Sequence, residues 1–169
     1  MSPRASRTKM ICPSASAALL TMVIMGCSDR PQITPAESLA QAKRYEKGDG
    51  VPMDMVEAIR QYEIAAKGGS LEAALELVNI FDNGKKGAAR DSIAIAKWLK
   101  AAAELGDSAS ALRLALMTDK GEGVTMDPVE AARWYLLAAN AGNSDAALEI
   151  GIRLADGVAL DNSFGIALG

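Results

Sequence analysis

GDGVPMD at residues 48–54 returns as GEGVTMD at residues 121–127, 73 residues later. A heptapeptide written twice is either a duplicated ligand loop or a recurring structural unit, and its surroundings choose between them. Midway lies a degenerate copy one residue longer, GKKGAARD at residues 84–91. The closing aspartates Asp54, Asp91 and Asp127 stand 37 and then 36 residues apart. Trp98 and Trp134 each follow their aspartate by seven residues, where the first copy has Gln61 and then Tyr62. Alanine pairs recur at 65–66, 102–103 and 138–139, and Gly69, Gly106 and Gly142 each lie 15 residues after the aspartate. A clipped fourth copy, AALEIGIRLADGVALD, covers residues 146–161. A period of this length marks a stack of repeated units.

The unit itself follows from capping chemistry. Asp54, Asp91, Asp127 and Asp161 each precede an apolar-periodic stretch, where a short carboxylate can accept from the orphan N–H groups of a first helical turn. Glu57 and Glu130 stand at capping-box spacing, and Pro128 falls at the first helical position, where proline is tolerated. Gly69, Gly106 and Gly142 sit where helices should end in a left-handed residue. Each unit is therefore two antiparallel helices. The pattern predicts helices A near 36–47, 72–83, 108–119 and 145–156, and helices B near 54–67, 91–104 and 127–140. The heptapeptide is the A-to-B turn plus the cap of helix B.

Composition agrees. Half of the 169 residues are apolar, yet only seven are aromatic, so the core must be close-packed and rich in alanine, the best helix former. The fold class expected is all-α, a superhelix of about three and a half helix pairs. With no histidine the commonest general base and metal ligand are missing. The chain has no G-x-x-x-x-G-K-[ST], calcium loop, G-x-S-x-G, H-E-x-x-H or C-x-x-C. No catalytic residue, metal ligand or cofactor is expected. Trp98 and Trp134 could form a carbohydrate or cation platform, but their constant phase favours inter-helix core.

The first residues read as an export signal. Arg4, Arg7 and Lys9 precede a short apolar run that ends at Cys27, too short for a stable membrane span. Ile24-Met25-Gly26-Cys27 resembles the bacterial lipobox, with Met25 where the pattern prefers a small residue. The resemblance implies cleavage after residue 26 and lipidation of Cys27 through its thiol. Cys12 would leave with the signal, and Cys27 would then be the mature chain's lone thiol, which lipidation accounts for. Residues 27–35, with Pro31 and Pro35, read as the lipidated cysteine and an extended tether. Losing the signal's three cations takes the net charge from −3 to −6, which gives no electrostatic case for nucleic acid.

The repeat itself resembles a known family. G-x-G-V-x-x-D followed by alanine, an aromatic, A-A and a closing glycine, best seen in GEGVTMDPVEAARWYLLAANAG, is similar to the Sel-one-like repeat, a branch of the tetratricopeptide-type α-solenoids. It spans residues 36–169, as repeats of about 36–71, 72–107, 108–144 and an incomplete 145–169. By that resemblance, rows of A-helix side chains line a concave groove. One row is Leu39, Leu75, Leu112 and Leu148, which belongs either to the groove or to the core between repeats. The next is Lys43, Asn79, Leu116 and Ile152, with Leu116 and Ile152 the better candidates for exposed surface. The third, Glu46, Asp82, Asp119 and Ala155, would form an acidic lip. Such a groove suits a peptide with hydrophobic anchors and basic flanks. Lys85, Lys86 and Arg90 read as a solvated loop. After Asp161 the chain has too few residues for a full helix B, and Phe164, Ile166 and Leu168 suggest fraying or a partner contact.

These readings point to a lipid-anchored, periplasm-facing envelope protein that binds a protein or peptide partner and is not an enzyme. Ser28 favours outer-membrane sorting, whereas Asp29 allows inner-membrane retention in some bacteria. The rival classes are an enzyme acting on cell-wall or penicillin-like compounds, suggested by disulfide-rich relatives whose paired cysteines this chain lacks, and a passive structural envelope protein.

Overall fold

Each aspartate that closes a heptapeptide begins a helix in the computed structural model, which describes residues 33–84 and 90–155. Asp54 Oδ1 accepts from the N–H groups of Val56 and Glu57, Asp91 Oδ1 from Ile93 and Ala94, and Asp127 Oδ1 from Val129 and Glu130, all at 2.9–3.1 Å. Among the described residues the chain is all-helical: α1 (Pro35–Lys47), α2 (Met55–Lys67), α3 (Leu71–Asn83), α4 (Ser92–Glu104), α5 (Ser108–Lys120), α6 (Pro128–Asn140) and α7 (Ser144–Ala155). The odd-numbered helices are helices A and α2, α4 and α6 are helices B. Each start falls within one residue of the expected one. Every helix packs chiefly on the helices before and after it in the chain, as in a solenoid.

The joints repeat as faithfully as the helices. After each helix B the chain turns through a glycine of positive φ, +92° at Gly69, +94° at Gly106 and +89° at Gly142. A Cβ at these glycines would meet nothing within 4 Å, so glycine serves the left-handed backbone and not a tight space. Paired bonds close each joint, such as Ser70 N–H to Ala65 O and Gly69 N–H to Ala66 O, both 3.0 Å. The residue after each glycine then caps the next helix A: Ser70, Asp107 and Asn143 accept from Ala73, Ser110 and Ala146 N–H. In the A-to-B turns, the N–H of the capping aspartate donates back to helix A, from Asp54 to Tyr45, Asp91 to Phe81 and Asp127 to Thr118. The span is one residue longer in the second copy, where the turn has its extra residue.

The core is a stripe on each helix B. Ala58, Tyr62 and Ala65 recur as Ile95, Leu99 and Ala102 and as Ala131, Tyr135 and Ala138, all buried. These are i, i+4 and i+7 positions of one helical face. Alanine at most of these sites lets helices approach closely, so a chain with few aromatics still closes a core.

Three expectations are corrected. The tryptophans are not equivalent: Trp98 is 3% exposed, but Trp134 is only half-buried, bridging the two halves of the core. The deeper position is the next one along, occupied by Tyr62, Leu99 and Tyr135, because consecutive helical side chains point about 100° apart. The capping box closes at neither Glu57 nor Glu130. Glu57 instead accepts from Gln61 Nε2 at 2.8 Å, and the box forms at Thr34 and Glu37, which exchange side-chain and backbone bonds. The last two residues assigned to the tether, Thr34 and Pro35, are thus the cap and first residue of α1. Cys27, Lys85, Lys86, Asp161, Phe164, Ile166, Leu168 and the side chain of Ala155 lie outside the described residues.

Candidate functional site

The A-helix rows divide by what their side chains already touch. In the leucine row, Leu39 and Leu112 lean on the core, whereas Leu75 and Leu148 are exposed, Leu148 to 67%. In the next row, Lys43 pairs with Glu72 of α3 and Asn79 accepts from Asn83 Nδ2. Leu116 and Ile152 remain 43% and 48% exposed on α5 and α7.

All three described carboxylates of the expected acidic lip are bonded within the fold. Glu46 accepts from Tyr62 Oη at 2.8 Å. Asp119 accepts from Tyr135 Oη at 3.0 Å and pairs with Arg153 of the next repeat, whose guanidinium lies 4.7 Å from the Tyr135 ring centroid. Burial, and then the bond to the carboxylate, pushes the Tyr135 phenol up to about 12 and raises Tyr62 in the same way. Both phenols are thereby kept as donors. The second repeat has Leu99 in place of the tyrosine, and Asp82 turns to arginines: Arg113 at 2.7 Å and Arg90 at 3.6 Å, one to each oxygen. Arg90, expected as part of a solvated loop, is 66% exposed and also lies within ion-pair reach of this carboxylate.

Both arginines line a cleft of about 210 Å³. Ile95, Leu116 and Met117 give it apolar walls, and Arg90, Arg113, Lys120 and Glu122 its charged rim. Sequence reading found Leu116 but not this rim, because Asp82 and Arg113 are 31 residues apart and no local period pairs them.

The helix B side offers a second set of surfaces. Clefts of about 310 and 320 Å³ flank Trp134, one reaching Lys100, Ile93 and Val124, the other Arg133 and Leu137. Lys97 lies over Trp98 at 4.4 Å and Lys100 over Trp134 at 5.9 Å, so the chain's own lysines take the cation positions a platform would offer. Val56, Ile93 and Val129, two residues after each capping aspartate, are exposed apolar residues in register, with Val56 at 80%. This edge went unread because periodicity marks a row without saying which side it faces. Among the described residues no group of three or more His, Cys, Asp or Glu side chains could hold a metal ion.

Comparison with known proteins places this architecture. The Sel1 repeat model matches residues 38–70, 80–107 and 108–143. A Sel1 repeat protein from Oxalobacter formigenes is 30% identical, with 78% of this chain and 97% of that one covered and a TM-score of 0.56. A protective antigen of uropathogenic Escherichia coli with an SLR fold is 31% identical over 76% of this chain and 27% of its own length, TM-score 0.61. Cysteine-rich protein B of Helicobacter pylori shares the fold at 17% identity, covering 79% of this chain and 92% of that one, TM-score 0.50. No curated protein matches the chain.

Proposed function

Because the chain belongs to the Sel1 repeat family, whose members are generally non-enzymatic protein-interaction scaffolds, we propose that it is an adaptor that binds a protein or peptide partner through its helices A. The observation that carries this reading is the exposure of Leu116, Leu148 and Ile152 on α5 and α7, where neighbouring A-helix leucines are drawn into the core. Apolar side chains left in water on successive repeats suit the anchors of an extended or helical ligand.

The adaptor is anchored by lipid at Cys27 and faces the periplasm, with the outer membrane favoured by Ser28. Support for this comes from the lipobox-like ending at Gly26-Cys27 and the lone mature thiol. Labelling with an alkyne fatty acid tests the anchor: label on the wild type and none on Cys27→Ser supports it, and equal label on both refutes it.

The partner site is tested by crosslinking capture from membranes, comparing wild type with Leu116→Asp plus Ile152→Asp. A partner captured by wild type and lost by the double variant, at unchanged helicity, supports the assignment. Capture of the same partners by both moves the site off the helices A, and capture of none returns the protein to a passive envelope role.

A further inference from the structure

We infer that the Leu116 cleft takes an acidic peptide segment, with one apolar side chain seated between Leu116 and Met117 and carboxylates on the rim. This deepens the adaptor reading and rests on it. It also reverses the charge that the A-helix pattern suggests for the partner.

Leu99 is where the second repeat departs from its neighbours. In the first and third repeats a helix B tyrosine occupies the carboxylate that ends helix A, Glu46 or Asp119, with the phenol 16 residues after the acid. Leu99 supplies no phenol, and Asp82 pairs with Arg113 and Arg90, whereas Asp119 holds Arg153 together with its tyrosine. One carboxylate thus pairs with two guanidiniums that line the cleft. Each guanidinium has five N–H donors in a rigid fork, and Asp82 engages one nitrogen of each. Lys120, on the same rim, has no carboxylate partner among the described residues. Against these three cations the rim has Glu122, with Asp82 outside the lining and shared between the two arginines. The donors left over match a carboxylate, and planar arginine forks take that group bidentately.

Size and composition select the rest of the ligand. At about 210 Å³ the cleft is smaller than the roughly 300–1,000 Å³ of small-molecule pockets, which favours a single side chain over a whole metabolite. Its apolar walls, Ile95, Leu116 and Met117, suit a leucine, methionine or phenylalanine anchor. The chain as a whole is acidic, with a net charge of −3, so attraction of an acidic peptide cannot come from its overall field and must arise locally.

Two fluorescein-labelled peptides of equal length test this by anisotropy with the full chain. One has a single leucine between two pairs of glutamates, the other the same leucine between two pairs of lysines. At about 20 mM salt the acidic peptide should bind at least about fivefold more tightly, and about 0.5 M salt should shrink the difference. Lys120→Glu should abolish the preference and Leu116→Asp the binding, with helicity unchanged by circular dichroism. Arg90→Glu, on a side chain outside the core, serves as a second charge reversal. Equal or tighter binding of the lysine peptide overturns the inference. So does acidic-peptide binding undiminished in both charge-reversal variants. The two levels fail separately. A captured partner lost by Leu116→Asp plus Ile152→Asp but indifferent to Lys120→Glu keeps the adaptor and sinks the acidic assignment. Peptide binding as stated with no partner captured does the reverse.

Discussion

The second repeat and its two neighbours use one position for different ends. In the first and third repeats the carboxylate at the end of helix A serves the fold, accepting from Tyr62 or Tyr135. In the second, Leu99 fills the same buried place without a donor, and Asp82 gathers Arg90 and Arg113 at the surface. The backbone repeat is nearly unchanged while the partners of its carboxylate differ. Three positions differ here, Leu99 where the other repeats have tyrosine, Arg90 where they have Met53 and Met126, and Arg113 where they have Glu76 and Glu149, and acids aligned in a sequence need not be acids offered to a partner.

The largest effect should come from emptying the tyrosine position. Tyr135→Ala leaves a cavity in a close-packed core and should cost about 3–5 kcal/mol, read from urea unfolding followed by circular dichroism. A cost below about 1 kcal/mol would mean that the stripe on helix B is not the core it is described as.

The carboxylates come next and address the comparison directly. Asp119→Ala removes the acceptor of both Tyr135 and Arg153 and should cost about 2–3 kcal/mol. Asp82→Ala breaks partly exposed ion pairs and should cost at most about 1 kcal/mol, less in high salt. Equal costs in the same unfolding assay would erase the distinction between structural and surface-facing acids.

The two heptapeptides that look alike should also part company. At Gly50 a Cβ would meet only the Arg44 guanidinium, a flexible end, at 3.2 Å. At Gly123 it would lie 2.2 Å from the backbone oxygen of Ser92, on the helix B of the preceding repeat. Both glycines have positive φ, so Gly50→Ala should cost about 1 kcal/mol in backbone strain. Gly123→Ala should cost about 2 kcal/mol or more, since backbone has to move as well. Thermal melts of the two variants compare them, and identical midpoints would show that the third turn does not lean on the second repeat.

The smallest effect is one of pH. Tyr62 and Tyr135 titrate above the ordinary tyrosine value in the fold, from burial and from the carboxylates beside them. Above pH 10 the unfolded chain gives up these protons while the fold retains them. Their stabilisation is therefore complete below about pH 10 and is lost as pH rises towards about 12, where Tyr135 titrates. The melting midpoint should fall across that window, and less steeply in Tyr62→Phe plus Tyr135→Phe, each of which removes a hydrogen bond worth about 1 kcal/mol.

Most of the fold was legible because it is written in local chemistry. Asp54, Asp91 and Asp127 cap where short acids before apolar periods should, and Gly69, Gly106 and Gly142 turn where glycine after a helix should. Signals went unused as well: T-P-A-E at residues 34–37 spells the capping box, and Ser70, Asp107 and Asn143 follow their glycines as caps. The exposure of Leu116 and Ile152 was anticipated through the family resemblance and not from the period. What could not be read is which acid meets which base across repeats, as at Asp82 with Arg113 and Asp119 with Arg153, 31 and 34 residues apart. Those pairings depend on how neighbouring helices A face one another, which a one-dimensional period does not carry. The difference between Trp98 and Trp134 escaped for the same reason.

The most direct test sets the helices A against the exposed edge of the helices B in cells. A photo-crosslinking benzoylphenylalanine is placed at Leu116 in one strain and at Val56 in another, both positions being exposed and apolar. If the helices A bind the partner, a discrete crosslinked partner is expected from position 116 and none from position 56. A partner trapped at position 56 and absent at 116 would contradict it and assign recognition to the helix B edge.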